Sequence, residues 1–144
     1  MKIISIILFT LFLSKGCTDE QNQNIESATV EYNVNTRGFN QKIVIQNKTF
    51  KLNRNRLGKD TLVQKTISEK DWSILVVAFQ DLNLNELQNL KAPTEKRFYD
   101  GAAIATLKII YKEKTYESTS FDHGFPPHEI EKLVNKINAI ENLK

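Results

Sequence analysis

Two different apolar periods follow one another near the C-terminal end, and together they leave few folds open. From Ala103 to Tyr111 the residues alternate, with Ala103, Ala105, Leu107, Ile109 and Tyr111 on one side and Ile104, Thr106, Lys108 and Ile110 on the other. Period two with β-branched and aromatic residues predicts a strand with one buried face. From Ile130 the spacing becomes helical: Ile130, Leu133, Val134, Ile137 and Ile140 form an apolar stripe, with Glu131, Lys132, Lys136 and Glu141 facing away. Between them, Thr115–Phe121 reads as the return strand of a hairpin turning at Glu113-Lys114. Asp122-His123-Gly124-Phe125-Pro126-Pro127 reads as a corner. Gly124 admits a positive φ, the prolines cannot continue a ladder, and Pro127 suits the first turn of a helix.

Upstream the pattern repeats in a second dialect. Val30, Tyr32 and Val34 alternate with Thr29, Glu31 and Asn33, which predicts a first strand. Thr36-Arg37-Gly38 reads as a turn, Lys42–Gln46 as a second strand, Asn47-Lys48 as a tight turn and Thr49–Leu52 as a third strand. Asn53–Asp60 reads as a polar loop and Thr61–Ile67 as a short fourth strand. Ser68 with Asp71 three residues on predicts a capped helix start. Trp72, Leu75, Val76 and Phe79 then give a second amphipathic stripe, which Leu82 extends. The expected fold is α+β: an antiparallel sheet of about five to six strands with two amphipathic helices packed on one face. Residues 91–101 are a long connection, and loops of that size in a compact domain often carry function.

The N-terminus carries an address. Met1-Lys2 precedes the apolar run Ile3–Leu13. That run is too short for a spanning helix, which needs roughly 20 residues, but it suits a secretory signal peptide. Gly16 immediately before Cys17, the only cysteine, resembles a bacterial lipoprotein cleavage box, although Lys15 stands where a small or hydroxyl residue is usual. The resemblance implies cleavage after residue 16 and a lipid on Cys17; no disulfide within the chain is open to a lone cysteine. The expected organisation is a signal peptide over 1–16, a lipidated tether over 17–27 and a single α+β domain over 28–144. Thr18-Asp19-Glu20 resembles the surface-export signal of Bacteroidota lipoproteins. The Lys91–Ala102 loop and the Phe121–Ile130 corner resemble those of small uncharacterised lipoproteins of the Bacteroidota. This implies a cell-envelope protein held at the outer membrane, on its periplasmic or its outer side, and imports no activity.

The whole chain has 20 basic and 17 acidic residues, a formal charge of +3. Losing Lys2 and Lys15 with the signal peptide leaves +1, so charge does not argue for nucleic acid. The charge is unevenly placed, however. Arg37 to Lys65 holds eight basic residues and one acid, Asp60. A protein or anionic glycan partner would suit such a stretch; the plainer reading is a solvated sheet face.

The only two histidines, His123 and His128, flank the prolines, next to Asp122. They suggest either a metal site with Asp100 or a hydrolase with Ser118 or Ser120. Zinc wants three or four ligands and a nucleophile wants an aligned base, so the preferred reading is structural, with Asp122 organising the corner. No cofactor is implied. The leading expectation is a lipid-anchored, non-catalytic binding module. Its candidate surface comprises Arg97, Tyr99, Asp100, Asp122, His123 and His128. The alternatives are an inhibitor of a secreted or periplasmic protease, and a small envelope hydrolase using Asp122 and His123.

Overall fold

The computed structural model describes residues 23–142. The expectations for the signal peptide and for Cys17 lie outside this range. Seven strands form one antiparallel sheet: β1 Ala28–Thr36, β2 Phe39–Gln46, β3 Thr49–Arg56, β4 Lys59–Thr66, β5 Ile104–Tyr111, β6 Lys114–Glu117 and β7 Phe121–Asp122. The order is β4-β3-β2-β1-β5-β6, with β7 pairing on β5 beyond the end of β6. The helices are α1, Glu69–Gln80, and α2, Glu131–Asn142. Short 3₁₀ turns occupy Ile25–Ser27, Leu84–Asn89, Lys96–Tyr99 and His128–Ile130.

The first four strands are a meander joined by two-residue turns. Asn47-Lys48 and Leu57-Gly58 have positive φ at both central positions, the backbone twist that matches flanking strands. Lys112-Glu113 does the same without glycine or asparagine, and places the β5–β6 turn one residue earlier than its sequence suggests. At Gly38, φ is +68° and a Cβ would lie 2.8 Å from Leu57 Cδ2, so this turn needs glycine for space as well as for conformation.

Three boundaries differ from expectation. Asn53–Asp60 is not a loop: β3 runs on to Arg56 and β4 begins at Lys59, with Asn53↔Leu62 and Asn55↔Asp60 in register. The return strand after β5 stops at Glu117 and resumes only as the short β7. The chain is also fastened before residue 28, because Ile25 is buried in the core.

The buried positions of β1, β2, β3 and β5 share one face. Val30, Ile45, Phe50 and Ile109 are cross-strand neighbours, as are Tyr32, Ile43, Leu52 and Leu107. They join one hydrophobic cluster with both helical stripes: Trp72, Leu75, Ala78 and Phe79 from α1, and Leu133, Val134, Ile137 and Ile140 from α2. Burial of this kind contributes about 1.5–3 kcal/mol per large apolar side chain. A polar clasp closes the edge of the core. Gln41 Nε2 donates to Glu141 Oε2 at 2.9 Å, Arg54 Nε donates to Gln41 Oε1 at 2.8 Å, and Arg54 Nη2 meets Glu141 Oε1. Lys65 Nζ donates to the Ile140 carbonyl at 2.5 Å, satisfying an acceptor in the last turn of α2. Ser68 caps α1: its Oγ accepts from Asp71 N–H at 3.1 Å and donates to Asp71 Oδ2 at 2.6 Å.

Candidate functional site

Asp122 enters on β7, whose Phe121 fills the core opposite Ala105 and stacks near Tyr32, with ring centroids 6.3 Å apart. Next comes a tight turn, His123-Gly124, with Gly124 at φ +88° and Phe125 N–H donating to the Asp122 carbonyl at 2.9 Å. Its carboxylate is fully buried and faces the 91–103 loop. Oδ2 accepts from Thr94 Oγ1 at 2.5 Å and from Lys96 N–H at 2.7 Å. Oδ1 accepts from Arg97 N–H at 2.9 Å and from Arg97 Nη1 at 3.1 Å.

These contacts cap the 3₁₀ turn Lys96–Tyr99 from more than twenty residues away, since its own leading residue, Glu95, makes no side-chain cap. The Arg97 side chain, 8% exposed, also donates to the Thr94 carbonyl at 2.8 Å and to Ser120 Oγ at 3.3 Å. Burial alone would raise the Asp122 pKa. The hydrogen bonds from Thr94, the Arg97 and Lys96 amides and the guanidinium outweigh it and hold the carboxyl at about 2.

The braced turn presents aromatics to solvent. Phe98 is 70% exposed and Tyr99 71%, and Phe125 on the corner is 47% exposed. The Arg97 guanidinium lies 4.3 Å from the Phe98 ring centroid and Lys96 Nζ 4.7 Å from that of Phe125. Asp100 is exposed and closes the turn in the left-handed region at φ 58°. Two members of the expected surface are therefore corrected: Asp122 and Arg97 turn inward and support the surface rather than form it.

The histidines do not converge. His123 Nδ1 lies 2.8 Å from the Tyr32 hydroxyl. Burial lowers the His123 pKa, with Glu141 opposing. Burial also pushes Tyr32 up to about 12, an Asn138 hydrogen bond opposing it and Glu141 adding to it. A neutral imidazole accepting from a protonated phenol satisfies both groups. His128 is 95% exposed and pairs with Glu131 at 3.5 Å.

The candidate nucleophiles are held in structural bonds. Ser118 Oγ accepts from Leu107 N–H at 3.0 Å, and Ser120 Oγ receives Arg97. Among the described residues, no three His, Cys, Asp or Glu side chains are grouped as metal ligands would be. None of the principal concavities among them is lined by Asp122 or His123. What the structure shows at Asp122 is a carboxylate tying β7 to the turn at residues 94–97 by four hydrogen bonds.

Sequence reasoning missed Thr94, Phe98 and Phe125, and weighed Ser120 as a nucleophile where the structure has it accepting from Arg97. The available signal was an aromatic pair beside Lys96-Arg97 in a loop with no apolar period to bury it. Compared with known proteins, the chain matches no family model, and no curated protein or solved structure is significantly similar to it.

Proposed function

We propose that this chain is a lipid-anchored binding module of the cell envelope, without catalysis or cofactor. Residues 1–16 are a signal peptide, Cys17 carries a thioether-linked lipid, and the tether ends where Ile25 enters the core. Both helices gather on one face of the sheet, and the contact surface is the loop bearing Phe98 and Tyr99 with the 122–128 corner. One observation carries the reading: a buried carboxylate with four hydrogen bonds is invested in a loop whose aromatic side chains stay in water. A buried charge costs several kcal/mol unless it is fully paired, so its use here goes with a surface that must keep its shape. The same brace favours a second reading, an inhibitor of a secreted or periplasmic protease, which needs a supported loop of this kind.

The anchor is tested by Cys17→Ala. The expected result is transfer of the protein from the membrane pellet to the soluble fraction; unchanged fractionation defeats the anchor. The surface is tested by a photo-crosslinking amino acid at position 99 in intact cells. A discrete adduct is expected there and none from position 51 on the opposite region of the sheet. Adducts at 51 but not at 99 reverse the assignment, and inhibition of a secreted protease by the purified chain selects the second reading.

A further inference from the structure

The sheet has two ends, and the register says what lies at each. At one end Ala28 pairs with Tyr111, and Asn24 N–H donates to the Tyr111 hydroxyl at 3.4 Å, so the chain enters the domain there. At the other end Asn35 pairs with Ile104 and Ile104 with Asp122. That second end also holds the turns Arg37-Gly38 and Leu57-Gly58, because Thr36↔Phe39, Phe39↔Arg56 and Arg56↔Lys59 are paired in register. The two turns touch: Leu57 N–H donates to the Gly38 carbonyl at 2.8 Å. The braced aromatic loop therefore shares one pole with both turns, roughly 24 Å along β5 from the point of entry.

This pole collects exposed apolar side chains: Leu57, 81% exposed, with Phe98, Tyr99, Ile104 and Phe125. It also collects cations. Of the eight basic residues between 37 and 65, Lys42 pairs with Glu31, Lys48 with Glu69 and Arg54 with Glu141, Lys65 holds the Ile140 carbonyl, and exposed Lys51 lies away from this pole, opposite Val44 and Gln64. Arg37, Arg56 and Lys59 are exposed, and among the described residues no carboxylate lies within ion-pair distance of them. The nearby Asp60 is bonded to Asn55 at 2.7 Å. Arg56 and Lys59 stand directly opposite one another, and like charges in that position lower sheet stability.

We infer that the whole pole, including the Arg37-Gly38 and Leu57-Gly58 turns, docks a protein partner with an apolar centre and an acidic rim. The inference rests on the reading of the Phe98–Tyr99 loop as a contact surface. Aromatic and arginine side chains around an apolar centre are the composition of protein interfaces. A sugar stacks on a bare ring face, whereas Phe98 and Phe125 each have a cation over the ring and Leu57 and Ile104 are aliphatic. A bilayer is a poor occupant, because the six residue-to-residue steps from Cys17 to Gln23 reach at most about 20 Å and the chain enters at the opposite pole.

The test is selection of phage-displayed random peptides on the purified, detergent-solubilised chain. The expected winners are acidic peptides carrying aliphatic or aromatic residues. Their affinity should fall about tenfold or more in Arg37→Glu/Arg56→Glu/Lys59→Glu, and again in Phe98→Ser/Tyr99→Ser. It should also fall between about 50 and 500 mM salt, as exposed charges are screened. All these substitutions are at exposed positions, so melting curves should match the parent. Winners that need Phe98 and Tyr99 but ignore the turn cations and salt defeat the acidic partner and spare the loop. Winners indifferent to Phe98 and Tyr99, or no winners at all, defeat the loop itself. Binding of polygalacturonate in place of peptides, lost on charge reversal, assigns the pole to an anionic polysaccharide and overturns the proposal.

Discussion

Asp122→Ala is expected to lower the melting temperature by roughly 10–20 °C, from a loss of about 3–5 kcal/mol. The substitution does more than delete hydrogen bonds. It leaves the Arg97 guanidinium, two backbone N–H groups and the Thr94 hydroxyl facing an empty space from which water is largely excluded. Breaking a buried pair from one side strands the other charge, and that is the expensive direction. Calorimetry measures the shift, and amide exchange at Lys96 and Arg97 locates it. A shift below about 3 °C with both amides still protected would mean that the loop is held by something other than this carboxylate.

The same residue sets an acid limb. A free aspartate titrates near about 3.9, while hydrogen bonding, overriding burial, holds Asp122 at about 2 when folded. As pH falls the unfolded chain takes up this proton first. The stabilisation is therefore complete above the unfolded value and drains away between roughly pH 4 and 2. Asp71 is also lowered, by its hydrogen bonds from Lys136 and Ser68, and pulls in the same direction. The difference between parent and Asp122→Ala isolates the Asp122 share: their stabilities should converge as pH drops through this window.

Leu133→Asp is expected to abolish the cooperative fold at neutral pH. Leu133 is fully buried in the α2 stripe and belongs to the single apolar cluster shared with the sheet. A carboxylate there would sit in that apolar cluster, and burying it costs more than the few kcal/mol by which a domain of this size is stable. Circular dichroism should show no melting transition. Asn135→Asp, two residues on at an exposed position of the same helix, should melt like the parent and so controls for helix propensity. Native-like melting of Leu133→Asp would mean that α2 turns a different face inward.

Both stripes were legible before any coordinates, as were the alternating faces of β1 and β5. Legibility failed first at Asn53–Asp60. Asn53 and Asn55 on one side of β3, and Arg54 on the other, show no apolar contrast, so period two is invisible there. That stretch is a strand because β2 and β4 supply hydrogen-bond ladders on both its edges, not because its own residues demand one. Legibility failed again at Asp122 and Arg97. Adjacent charged and aromatic residues in a loop look like surface, and nothing in their spacing says that Arg97 folds back on a carboxylate 25 positions later.

By itself the sequence determined which side of each strand and helix is oily, because side-chain direction follows from local backbone geometry. Only the tertiary structure decided that β5 lies beside β1 and that β7 brings Asp122 under the Thr94–Arg97 turn. Those meetings depend on strand pairing between distant segments. A carboxylate's role as cap, catalyst or surface charge is set by whichever donors that pairing carries to it.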